Sequence, residues 1–151
     1  MFGHFETLLR FWRFADNSEN ISGDKLFKIR NLLNMLNEKF EKFKEPNKYI
    51  AVDETMVPFR GRLSFRQYIP GKPHKNGIKL FKVCDADVYT HRVEIYQDLS
   101  ITKGENLTKP AVLRLCEAYL NKGRTIVTDN FYTRIELARE LLYKNIHLIV
   151  T

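Results

Sequence analysis

Cysteine is scarce in this chain of 151 residues, with only Cys84 and Cys116. Two thiols cannot build a disulfide framework, and neither belongs to a Cys-x-x-Cys pair that would suggest zinc. Both read as small core residues of a protein kept in a reducing compartment. Long apolar runs are also missing: nothing approaches the roughly 18–20 residues that a membrane helix needs. The first residues do not read as a signal peptide, because Glu6, Arg10, Arg13 and Asp16 interrupt their aromatic stretch. The histidines His4, His74, His91 and His147 are scattered, with no metal-ligand spacing.

The most informative absence is of negative charge. From Thr55 to Cys84 there is no acidic residue, while Arg60, Arg62, Arg66, Lys72, Lys75, Lys79 and Lys82 all fall there. The remaining 18 of the chain's 25 basic residues equal its 18 acids, so the net charge of +7 belongs to this one segment. Phe59, Phe65, Tyr68 and His74 lie among the cations. That mixture suits a polyanion with flat bases, since guanidinium groups grip phosphates and aromatic rings stack. The plain alternative is a solvated basic loop with no partner. Pro58, Pro70 and Pro73 with Gly61, Gly71 and Gly77 argue against an amphipathic membrane helix.

What is abundant is core material: 44% apolar and 13% aromatic residues, enough for one ordinary domain and unlike a disordered chain. Helical spacing over 4–15 (Phe5, Leu8, Leu9, Trp12, Ala15) predicts a short amphipathic helix. Leu26, Ile29, Leu32, Leu33, Leu36, Phe40 and Phe43 predict a second, stopped by Pro46. Both stripes read as packing surfaces.

From Tyr49 the period changes. Tyr49–Asp53 reads as a strand ending in a carboxylate, followed by the basic loop. Ile78–Cys84 and the alternating Tyr89–Tyr96 follow as strands. A helix opens near Pro110 and runs to about Leu120, with Gly123 as its cap. Thr125–Asp129 is the next strand, again ending in an acid. Thr133 and Glu136 have the spacing of a capping box before a helix carrying Leu137 and Leu141. Ile146–Val150 closes the chain. Two helices followed by β-β-β-α-β-α-β predict an α/β fold with a mixed five-stranded sheet. Residues 1–46 form the helical segment and 47–151 the core.

Asp53 and Asp129 are the candidate site. Each alone is an ordinary strand-exit residue. If the first and fourth strands lie side by side and parallel, their ends bring two carboxylates to one divalent cation, as phosphoryl chemistry requires. Asp85 and Asp87 read as turn residues.

These residues also carry a resemblance. Val52-Asp53-Glu54-Thr55-Met56-Val57-Pro58-Phe59-Arg60-Gly61-Arg62 is similar to the segment around the first catalytic aspartate of piggyBac-type transposases. Phe65–Pro73, Gly77-Ile78-Lys79 and Val83-Cys84-Asp85 continue it. Thr128-Asp129-Asn130-Phe131-Tyr132-Thr133 resembles the segment around the second aspartate, and Phe5–Asn17 the stretch upstream of the core. Asn76 and Arg134 depart from the common pattern.

The resemblance implies a ribonuclease H-like fold and Mg²⁺-dependent DNA cleavage and strand transfer by three aspartates. By motif, Asp53 and Asp129 are catalytic and metal-binding, while the acid-free window supplies Arg60, Arg62, Arg66, Lys72, Lys75 and Lys79 as the DNA-binding set. DNA as partner, a nuclear location and scope for homo-oligomers are implied as well, with no membrane role. The third aspartate lies beyond the fifth strand in that family, and neither it nor a cysteine-rich zinc module has a counterpart here. Glu117, Glu136 and Glu140 are the acids weighed as replacements. The expectation is therefore a core truncated before its third acid and inactive by itself. An active enzyme completed by further domains, a non-catalytic DNA-binding module and a nonfunctional remnant or interaction domain stay open. The missing region should also leave Leu141, Ile146, Leu148 and Val150 exposed.

Overall fold

Inward and outward residues alternate along the middle of the chain, and the strands they form assemble into a six-stranded mixed sheet. The computed structural model describes residues 2–16, 18, 23–71, 73–97 and 108–151. Strand β1 (Tyr49–Pro58) meets Asn76–Asp85 in a long antiparallel ladder, with Val52 opposite Val83 and Glu54 opposite Phe81. The two-residue β2 (Gln67–Tyr68) and β4 (Thr90–Ile95) share the far side of that second long strand, β3. On the other side of β1 lies β5 (Thr125–Thr128), parallel to it, and then β6 (His147–Val150), parallel to β5.

Period two explains which face is buried. Ile50, Val52, Phe81, Val83 and Ile126 point to one side. There they pack against Val112 and Leu115 of helix α3 and Leu137 and Leu141 of helix α4, counting α1 as Phe2–Phe11, α2 as Phe27–Phe43, α3 as Thr108–Leu115 and α4 as Ile135–Tyr143. Each such side chain, fully buried, contributes about 1.5–3 kcal/mol. The opposite face carries Tyr49, Asp53, Val57 and Ile149, all exposed.

Helix α2 runs beside β4. Its Asn37 donates to the Val93 carbonyl at 2.9 Å and accepts from the Val93 N–H at 2.8 Å, which satisfies the backbone of Val93 on the open edge of that strand. Phe40 and Phe43 hold the Tyr89 ring. Among the described residues no helix is long and apolar enough to cross a membrane.

Several expectations change in three dimensions. Among the described residues there are six strands, because β2 forms inside the basic loop and pairs with β3. Strand β1 continues five residues beyond Asp53, since its ladder with β3 extends to Pro58. Helix α3 stops at Leu115, and a 3-10 turn, Glu117–Tyr119, follows it. The capping box does not form: Arg134 is the N-cap with no side-chain bond, and the Thr133 hydroxyl donates to the Asp129 carbonyl instead. Leu141 and Ile146 are buried between α4 and the sheet, while Val150 on the edge strand β6 is 40% exposed. The stripes of α1 and α2 are largely open, with Phe5, Leu8, Trp12 and Phe43 all exposed. Of the polar connection read over 97–107, residues 98–107 lie outside the described residues.

Candidate functional site

The parallel pairing of β1 with β5 sets the site. Tyr49 faces Thr125, Ile50 faces Ile126 and Ala51 faces Val127. Asp53 and Asp129 each lie two residues further along, so they share a face at equivalent heights on strands about 4.8 Å apart. Asp129 comes immediately after β5 and begins a tight turn, its Oδ1 accepting from the Phe131 N–H at 3.0 Å. Asp53 sits in mid-strand, opposite Lys82 of β3, and its Oδ1 accepts from the Glu54 N–H at 2.7 Å.

A third carboxylate joins them, one to which the sequence reading assigned no role. Asp53, Glu54 and Asp129 each present an oxygen, and the three lie within 4.8 Å of one another. Glu54 has the same strand parity as Ile50 and Val52, so it starts on the core face. There its Oε2 accepts a 2.9 Å bond from the buried Tyr132 hydroxyl. Burial, and after it the negative charge of Glu54, push the Tyr132 pKa upward, so the hydroxyl stays a donor. A signal was present in the sequence: a carboxylate at a core-parity position demands a buried partner. Glu117, Glu136 and Glu140 are not in this cluster; Glu140 pairs with Lys109 at 2.5 Å.

The donor set fits a hard divalent cation. Mg²⁺ takes carboxylate oxygens at about 2.0–2.1 Å, so opposite ligands on one ion are about 4.2 Å apart. The three oxygens lie no more than 4.8 Å from one another, near enough for one ion to draw them together.

Asp85 opens the turn as expected, its Oδ1 accepting from the Asp87 N–H at 3.1 Å and the Tyr89 N–H at 3.2 Å, and it has a second role. It ends β3 with its side chain fully buried, accepting from Lys44 at 2.7 Å and lying 3.2 Å from His91 Nε2. Burial alone would raise its pKa, but Lys44, His91 and the Tyr89 N–H outweigh that and hold it at about 2. Asp87 does lie in the turn and also pairs with Lys44. Burial pushes the Cys116 thiol up to about 12, which suits the core role read for it.

The basic segment divides. Phe65 is buried and anchors the loop between β1 and β2. The Arg66 guanidinium donates to the carbonyls of Arg60 and Gly61, at 3.2 and 3.1 Å, and so braces it. Gly77 is required where the loop returns, because a Cβ there would lie 2.3 Å from the Val57 carbonyl oxygen. Arg60, Arg62, Arg66 and Lys75 are exposed, and Arg60, Arg66, His74 and Lys75 line one hollow with Pro58 and Pro73. Lys79 is not on this surface: it is 9% exposed, with Nζ 4.9 Å from the Phe81 ring centre and 4.7 Å from that of Phe131. Its strand parity turns it inward. Lys72 lies outside the described residues.

A family model described as Transposase IS4 matches residues 3–151. Human piggyBac transposable element-derived protein 3 is 35% identical over 143 residues, covering 91% of this chain and 24% of that protein. Human piggyBac transposable element-derived protein 2 is 26% identical over 148 residues, covering 94% and 25%. The cryo-EM structure of the piggyBac transposase synaptic complex with hairpin DNA superposes with a TM-score of 0.85 at 30% identity, over 97% of this chain and 32% of that one. The class is thus a ribonuclease H-like fold, as the resemblance around Asp53 and Asp129 implied. Within that class the chain belongs to the transposase family of the matching model and is of the piggyBac, transposable-element-derived type. It spans about a quarter of the length of the curated relatives it matches.

Proposed function

We propose that this chain supplies the cation-binding and DNA-gripping part of a centre for DNA strand cleavage and transfer. The observation that carries the reading is the register of β1 on β5, which sets Asp53 beside Asp129. Asp53 and Asp129 would hold Mg²⁺, whose chemistry in such centres is to activate the attacking oxygen and stabilise the leaving one. The protein's own groups do the rest. Rigid strands hold the two carboxylates at fixed separation. Arg60, Arg62 and Lys75 take phosphates of the DNA, and exposed Tyr68 offers a stacking surface. The nucleus is the compartment that the family resemblance implies for such work on DNA.

Asp53 and Asp129 without the third aspartate of the family pattern leave a second metal ion poorly held. Residues 1–151 alone therefore act as a cation- and DNA-binding unit without strand cleavage. Mn²⁺ binding followed by electron paramagnetic resonance tests the reading, with Mg²⁺ as competitor. A saturable site lost in both Asp53→Asn and Asp129→Asn is the expected result. Equal binding by wild type and both variants overturns it.

A further inference from the structure

We infer that Glu54 is a further ligand of the cation held by Asp53 and Asp129, steered into place by Tyr132; the inference rests on the metal-binding reading above. Strand alternation sends Glu54 to the face opposite Asp53, where a half-buried carboxylate without a partner is costly. Two features bring it back. Strand β5 ends at Thr128, so on that side of β1 no paired strand separates the two faces of the sheet beside residues 53 and 54, where β3 pairs only from the other side. The Tyr132 hydroxyl then occupies Oε2 at 2.9 Å, fixing the rotation of the carboxylate. One Glu54 oxygen comes within 4.8 Å of oxygens of both aspartates.

Tyr132 is suited to this task by its own placement. Its ring is fully buried and meets Phe81 edge-on, with centroids 6.0 Å apart. Its backbone N–H donates to the Asp129 carbonyl at 3.2 Å. One residue thus ties the turn that carries Asp129 to the strand that carries Asp53 and Glu54. Hydrogen-bonded partners of this kind orient ligating carboxylates and set metal affinity.

The test compares Mn²⁺ affinity of wild type, Asp53→Asn, Glu54→Gln and Tyr132→Phe, with melting curves of the metal-free proteins. Glu54→Gln should weaken binding at least tenfold, and Tyr132→Phe by about tenfold, the lower end for loss of such a partner. Exposed Glu136→Gln should bind as wild type does. Wild-type affinity in Glu54→Gln alongside loss in Asp53→Asn overturns the inference and leaves the metal site standing. No saturable site in wild type removes both. Lower melting temperatures with unchanged affinity make the Glu54–Tyr132 pair a structural brace only, which also overturns it. Should a variant fail to fold, Mg²⁺ titration of the unmutated chain decides: the Glu54 side-chain carboxyl ¹³C resonance must shift, and a stationary one refutes ligation.

Discussion

Lys44, just past the end of α2, places its ammonium 2.7 Å from the buried carboxylate of Asp85 at the end of β3. His91 Nε2 stands on the same oxygen at 3.2 Å. This cluster ties the helical segment to the sheet by charge, where the apolar stripe of α2 buries no residue fully.

That cluster should make stability depend on acid. Asp85 titrates near 2 in the folded protein and near 3.8 as an unperturbed carboxyl, so the folded state binds its proton later. Its contribution is complete above about pH 4–5 and is lost as pH falls toward 2. Melting temperature should drop across that window. Asp85→Asn should cost about 1.5–3 kcal/mol at pH 7, the range for hydrogen bonds to charged groups, and should flatten the acid limb. A variant with an unchanged acid limb would show that Lys44 and His91 do not hold this carboxylate.

Core packing gives a second prediction. Leu141 is fully buried between α4 and the sheet, whereas Leu142, the next residue, is 62% exposed. Leu141→Ala should destabilise by about 2–5 kcal/mol in urea unfolding. Leu142→Ala should stay within about 0.5 kcal/mol of wild type. Similar losses from both would mean that α4 is rotated relative to the sheet.

DNA affinity should come from the exposed cations of the loop. Replacing Arg60, Arg62 and Lys75 together with Gln should flatten the log–log salt slope by about 2–3 units, at roughly 0.9 per phosphate contact. The same change at Lys28, Lys39 and Lys42, exposed on α2, should do much less. Lys79→Gln should leave the slope as it is, because its ammonium sits between aromatic rings. Filter binding or anisotropy at several salt concentrations reads all three, and equal losses from the two triple variants would make the effect one of general charge.

Strand cleavage should be absent from residues 1–151 alone in Mg²⁺ or Mn²⁺, judged by nicking of supercoiled plasmid. Robust nicking that vanishes in Asp129→Asn would show that the three acids here suffice for the chemistry.

The sequence by itself determined a great deal. A short apolar run marked the first half of β1, period-two alternation marked the stretch that became β4, and helical spacing marked α2 and α4. The acid-free stretch located the basic loop, and the motifs around Asp53 and Asp129 pointed to the family. All of these are local properties, carried by neighbours along the chain. Only the tertiary structure decided that β1 lies parallel to β5 with a register that levels Asp53 with Asp129, since lateral pairing joins residues far apart in sequence. It also decided that Lys79 turns inward while Arg60 and Lys75 stay out, because pairing of β1 with β3 extends past the expected strand end. Glu54 shows the difference most clearly. Its parity alone directs it into the core, and only the end of β5 and the hydroxyl of Tyr132, 78 residues away, bring it back to the aspartates.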